Sequence, residues 1–200
     1  MSTSTPTQHT QPPEPLASAA IYRMTVDQYE QMGKVLKDAR VELIDGYLVN
    51  KMSKYPPHIW AVDAIREVLQ RLLPACWCRQ EAPVRIPDFD EPEPDVAVVQ
   101  GTRDDYQHRI PAPEDIKLLV EVSDSTLDRD RGAKSAAYAK GRIPVYWIVN
   151  LVDQQVEVYT LPSPGGYATR VDFKPGEDIP VVLDGIEVGR IAVSSILPAR

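Results

Sequence analysis

The run Leu118-Leu119-Val120-Glu121-Val122 constrains this chain more than any other stretch, because it sets one carboxylate inside a segment that is otherwise apolar. A short apolar run bounded by polar residues reads as a strand buried on both faces. An ionised glutamate is costly in such a place unless something pairs with it. Downstream, Arg131 to Lys140 is alanine-rich and reads as a helix, with Lys134 in its first turn and Gly141 placed to end it. Val145-Tyr146-Trp147-Ile148-Val149 reads as a second buried strand. Strand, helix and strand in so little space make a βαβ unit, whose right-handed crossover sets the two strands parallel. Upstream, Glu93-Pro94-Asp95 opens onto the apolar run Val96 to Val99, so another acidic residue stands at the mouth of a strand. Two carboxylates on strands with a lysine nearby can hold a metal and a phosphate.

The rest of the chain bounds this reading. Two hundred residues with 43% apolar and 26% charged side chains have the makings of one ordinary globular domain with a real core. No apolar run approaches the roughly 18 residues that span a bilayer, and the N-terminus reads as lacking a signal peptide. Cys76 and Cys78 flank Trp77 in an expected strand and so share a face, but one C-x-C pair is a poor zinc signature. They read as reduced thiols of a cytoplasmic protein. A net charge of −7 argues against coating nucleic acid by bulk electrostatics, though not against a local basic cleft.

Residues 1–20 are Ser, Thr, Gln, Pro and Ala with almost no large apolar side chains, and read as a flexible tail ahead of a single domain over 21–200. Thr25 and Gln28 have capping-box spacing, and Val26, Tyr29, Met32 and Leu36 form a helical stripe. Asp45-Gly46 between two apolar runs predicts a hairpin. Ala61, Ile65, Val68 and Leu72 recur at helical spacing from His58 to Leu73. Cys76 to Ile86 reads as a strand and Pro87 to Pro94 as a loop. Gln154 to Tyr159 alternates as an antiparallel strand does, with a turn at Pro164-Gly165-Gly166 and a partner strand from Tyr167 to Phe173. Asp184-Gly185 makes a further turn, and Ser194 to Leu197 is at most a short helix.

Each candidate has a plainer alternative. Asp95, where Pro94 withholds a backbone donor, could be a solvated strand-start aspartate. Glu121 could be one half of a structural ion pair. Together they could give Mg²⁺ the few carboxylates it needs. Lys134 could be a surface lysine paired with Asp130 four residues before it, yet its helix follows directly on the strand that carries Glu121. Glu42 beside the hairpin and His58 at a helix start are weaker signals.

Taken in order, Glu42-Leu43-Ile44-Asp45-Gly46, His58 before a helix, Pro94-Asp95, Val120-Glu121-Val122-Ser123, then Asp130, Lys134, Tyr138 and Val145 to Asn150 form a specific set. From about Ile21 to Leu197 the chain resembles the Uma-type restriction-endonuclease family of the PD-(D/E)XK nuclease superfamily. The resemblance implies an α+β, restriction-endonuclease-like core, with a mixed central sheet flanked by helices and extra antiparallel hairpins. It implies Mg²⁺- or Mn²⁺-dependent phosphodiester cleavage of nucleic acid, DNA above all, and a homodimer is the expected assembly. Asp95 would match the motif aspartate and Glu121 the second acidic metal ligand, helped by Glu42 and the Val122 carbonyl. Ser123 stands where the superfamily's lysine belongs, and Lys134 would supply that cation from the helix. Arg129, Arg131, Lys140 and Arg142 would contact the nucleic-acid backbone. The competing expectation is a non-cleaving nucleic-acid- or protein-binding module on the same fold, with a purely structural oligomer a third.

Overall fold

The computed structural model describes residues 21–36 and 38–199. The tail expected over residues 1–20 lies outside the described residues. Helix α1 (Val26–Gln31) begins at Thr25, whose side chain accepts from the Gln28 N–H while the Gln28 side chain accepts from the Thr25 N–H. That is the capping box read from the spacing. A short α2 (Gly33–Leu36) follows. Strands β1 (Val41–Ile44) and β2 (Tyr47–Asn50) then form the expected hairpin. At its turn Asp45 and Gly46 have φ of 49° and 81°, the left-handed pair a two-residue hairpin turn demands. A Cβ on Gly46 would lie 2.7 Å from Arg23 Cβ, so the position has no room for a side chain.

Helix α3 (Pro56–Leu72) starts on two prolines, where missing N–H groups cost nothing. It buries Ala61, Val62, Ile65 and Leu69, with Val68 and Leu72 at the partly buried margin, so the buried stripe is rotated from the one read in the sequence. Strand β3 (Cys76–Gln80) is shorter than the stretch to Ile86 read as one strand. Glu81 turns at a φ of 50°, and the prolines at 83, 87, 92 and 94 cannot donate to a ladder. That segment instead crosses the sheet and buries Val84 and Ile86 against it.

Six strands form the central sheet in the order β3, β4 (Val96–Gln100), β5 (Ile116–Ser123), β6 (Val145–Asn150), β7 (Gln155–Ser163), β8 (Gly166–Phe173). Only β5 and β6 run parallel, as the βαβ reading requires, and every other neighbouring pair is antiparallel. A second hairpin, β9 (Asp178–Leu183) and β10 (Ile186–Ala192), forms its own two-stranded sheet. Side chains alternate across β5. Leu118, Val120 and Val122 enter one core with α3 and the β9–β10 hairpin, and Leu119 enters the other. Glu121 shares the face of Leu119, beneath the crossover helix.

That helix departs from expectation. It begins at Leu127, not near Arg131, as α4 (Leu127–Arg129), continues through a π turn (Asp130–Lys134) and ends as α5 (Ser135–Lys140). Asp124 and Thr126 start it, their carbonyls accepting from the N–H groups of Leu127 and Asp130. Lys134 therefore sits beyond the first turn, where the Ser135 N–H reaches back five residues to the Asp130 carbonyl. Single π turns of this kind widen a helix, often where function needs it.

Leu43 and Glu91 exchange backbone hydrogen bonds, docking the first hairpin on the proline-rich segment. Glu91 is buried with its Oε2 unpartnered. Burial and then the Glu30 carboxylate push its pKa up to about 8, against the pull of Arg85. A raised folded pKa means stability that is whole below about 4.5 and lost as pH rises through about 8. Glu91→Gln should therefore be more stable than the parent by roughly 2 kcal/mol at pH 9, the gain vanishing by pH 4.5 in urea unfolding.

Candidate active site

The side chains expected to act together come from four elements. Glu42 lies on β1, Asp95 immediately before β4, Glu121 on β5 and Lys134 at the end of the π turn, and all line one pocket of about 70 Å³. At about 10–15 Å³ of such space per water, that is room for an ion with several waters. Glu42, Asp95, Glu121, Asp130 and Lys134 are each under a tenth exposed.

Lys134 is the centre of the arrangement. Its Nζ donates to Glu121 Oε1 at 2.8 Å and lies 3.2 Å from Glu42 Oε2. Asp130 is not its surface partner. That carboxylate is buried, its Oδ2 accepting from the hydroxyls of Ser123 at 2.7 Å and Thr126 at 2.6 Å. Tyr138, two helical turns on from Asp130, donates to Glu121 Oε1 at 2.6 Å. The spacing 130, 134, 138 places all three on one side of the helix, and it is the signal in the sequence that could have found Asp130 and Tyr138. Small neighbours, Ala137 and Ala139, let the helix lie close to the sheet.

Asp95 Oδ2 accepts from the Val122 N–H at 2.8 Å and lies 3.3 Å from His58 Nε2, while Oδ1 is 3.7 Å from Lys54 Nζ. Burial works against its charge, but the His58 and Val122 hydrogen bonds and the Lys134 cation outweigh burial and hold its pKa below the ordinary value. Burial pushes Glu121 the other way, up to about 8, with Lys134 pulling it down and the neighbouring carboxylates adding to the rise. For Lys134 burial alone would lower the pKa, but Glu121, Glu42 and Asp130 more than offset it and keep the ammonium charged.

The basic residues divide. Arg129 lines the pocket, with Nη1 donating to the Asn50 carbonyl at 3.1 Å and Nη2 3.9 Å from Glu42 Oε1. Arg131 points to β7 instead, where it grips the fully buried Glu157 through two hydrogen bonds of 2.5 and 3.1 Å. Lys140 is exposed over the Phe89 ring, and Arg142 is exposed in the turn after α5 with φ of 57°. Neither of these two lines the pocket. Lys54, and Tyr55 donating to Asp124 at 2.6 Å, are pocket residues that sequence reading did not single out.

The donors facing the pocket are carboxylate oxygens, the chemistry a hard divalent cation prefers. Asp130 Oδ1 is a buried carboxylate oxygen with no hydrogen-bond partner. By composition the set fits such an ion. Among the described residues, however, no three His, Cys, Asp or Glu side chains are gathered as a metal centre. The space between Glu42 and Glu121 is bridged by Lys134.

A mixed sheet with acidic residues at the ends of central strands and a helix-borne lysine against them is a nuclease-like α+β architecture. The crystal structure of a putative nuclease belonging to DUF820 from Anabaena variabilis ATCC 29413 shares this fold, with a TM-score of 0.65 and 16% identity over 86% of this chain and 97% of that one. The family Uma2, described as "Putative restriction endonuclease", matches residues 26–194, and the chain belongs to it. No curated protein matches the chain. Among the described residues no helix is long and apolar enough to cross a membrane.

Proposed function

We propose that this protein is a divalent-metal-dependent nuclease that hydrolyses phosphodiester bonds in nucleic acid, DNA above all. The supporting observation is that Glu42, Asp95, Glu121 and Lys134, brought from four separate elements, line one small polar pocket. Asp95 and Glu121, with Glu42 and the Val122 carbonyl, would hold Mg²⁺ or Mn²⁺. When bound, such an ion lowers the pKa of a water and polarises the phosphate. His58 and the Val122 N–H orient Asp95, and the Lys134 ammonium offsets charge on the attacked phosphate. Arg129 and Lys54, at the pocket wall, are placed for the phosphates on either side of the cleaved bond. A single domain over residues 21–200, a homodimeric state and a cytoplasmic location belong to the same reading.

Plasmid DNA, single-stranded DNA and RNA, each incubated with Mn²⁺ and with chelator, test the activity. Cleavage of at least one substrate in Mn²⁺, stopped by chelator, is expected. The second reading, a non-cleaving binding module, is favoured by the pairing of Lys134 with both glutamates. It would be upheld by tight nucleic-acid binding with no cleavage in any metal. Metal binding has its own check. Saturating Mn²⁺ should raise the melting temperature of the parent by roughly 5–10 °C, the mass-action effect of about a hundredfold excess over Kd. Asp95→Asn and Glu121→Gln should each remove that rise, and a variant that responds like the parent has not lost a ligand.

A further inference from the structure

The pocket already holds a cation of its own. Lys134 Nζ lies within 2.8 Å of Glu121 and 3.2 Å of Glu42, and the side chain is almost wholly buried. Its four methylenes cross from the helix to the strand, and the ammonium takes up the oxygens that would otherwise face one another across the gap. Among the described residues no three His, Cys, Asp or Glu side chains are gathered as a metal centre. Tyr138 adds a second hydrogen bond to the same oxygen, Glu121 Oε1.

Resting on the nuclease reading, we infer that Lys134 is a resident competitor for the metal ligands, and that its ammonium must leave Glu42 and Glu121 before both can serve a divalent ion. Electrostatics favours the exchange. The acidic side chains Glu42, Asp95, Glu121 and Asp130 line one pocket with a single buried ammonium in contact with two of them, and a divalent ion brings two positive charges where the lysine brings one. The exchange also couples two events. Freed from the glutamates, the lysine has only the pocket to point into, where a phosphate would meet it. Lys134 thus stays sequestered without metal and is delivered when metal loads. Asp95, whose close partners are the Val122 N–H and His58, makes no direct contact with Lys134 and needs no such release.

Mn²⁺ titrated calorimetrically into the full-length parent, Lys134→Met and the control Lys117→Met reads the competition directly. Lys117 pairs with Asp184 and does not line the pocket. Lys134→Met should bind Mn²⁺ about tenfold or more tightly than the parent, a coupling of ordinary size, with Lys117→Met unchanged. Lys134→Met leaves two buried glutamates without their cation. Should it fail to fold, the parent alone decides through the Lys134 ammonium resonance in nitrogen-15 NMR, which should shift or vanish on saturation with Mg²⁺. Equal or weaker Mn²⁺ binding in a folded Lys134→Met, or an unmoved ammonium signal in Mg²⁺-loaded parent where that variant does not fold, overturns the competition and leaves the metal reading standing. Absence of Mn²⁺ binding in both parent and Lys134→Met overturns both.

Discussion

Lys134→Ala is expected to lose cleavage by about a hundredfold to a thousandfold, the usual effect of deleting one transition-state cation or donor, while still binding Mn²⁺. Ser123 occupies the neighbouring strand position, and its hydroxyl is committed to Asp130. No other ammonium lies against Glu121 among the described residues. The variant also leaves Glu42 and Glu121 without their shared counter-ion, so some stability will go with the activity. Circular dichroism at the assay temperature separates the two effects, and activity is compared only where the variant is folded. A folded Lys134→Ala that cleaves as fast as the parent would remove Lys134 from the chemistry.

The largest effect on stability should come from outside the pocket. Glu157 on β7 is fully buried and accepts from Arg131, from Asn150 at 2.7 Å and from Tyr159 at 2.8 Å, with Arg170 3.3 Å away. Burial alone would raise its pKa, but Arg131, Asn150, Tyr159 and Arg170 bring it down to about 2. Glu157→Ala strands those donors and should cost about 3–5 kcal/mol, as breaking a buried ion pair does. A loss of that size lowers the melting temperature by roughly 10 °C in a chain of this length. The sign of the pH dependence follows from the depressed pKa. The Glu157 contribution is whole above about 4.5 and is lost as pH falls toward about 2, so parent and variant should converge over that window. Melting curves at pH 7, 4.5 and 2.5 check it, and a gap that stays constant across them would show that charge is not what Glu157 contributes.

Arg131 makes this network matter to the pocket as well. It lies on the same π turn as Asp130 and Lys134 but is turned the opposite way, so its grip on Glu157 pins the segment that aims Lys134. Tyr146 holds the same turn from below, donating to the Asp130 carbonyl at 3.1 Å.

What the amino-acid order determined alone was the set of elements whose causes are local. Asp45-Gly46 dictates the hairpin turn because left-handed φ is needed there. The apolar runs around Glu121 and Trp147 dictate paired buried strands, and the helix between them makes those strands parallel. Glu121 and Asp95 stood out because a carboxylate in or beside a buried strand must be compensated. Tertiary structure decided how that compensation is made. Local pattern alone makes Glu42 a hairpin residue, and only the resemblance assigned it to the site. It becomes a pocket carboxylate only because Leu43 pairs with Glu91 and carries the hairpin over the sheet. Asp130 read as a surface partner for Lys134 and Arg131 as a contact to the nucleic-acid backbone, but the π turn and the strand pairing send one into the pocket and the other to Glu157. Backbone propensity and turn chemistry act between residues close in sequence, so they can be read along the chain. Which buried charge meets which depends on the register and burial of strands far apart in sequence, and only the folded sheet sets those.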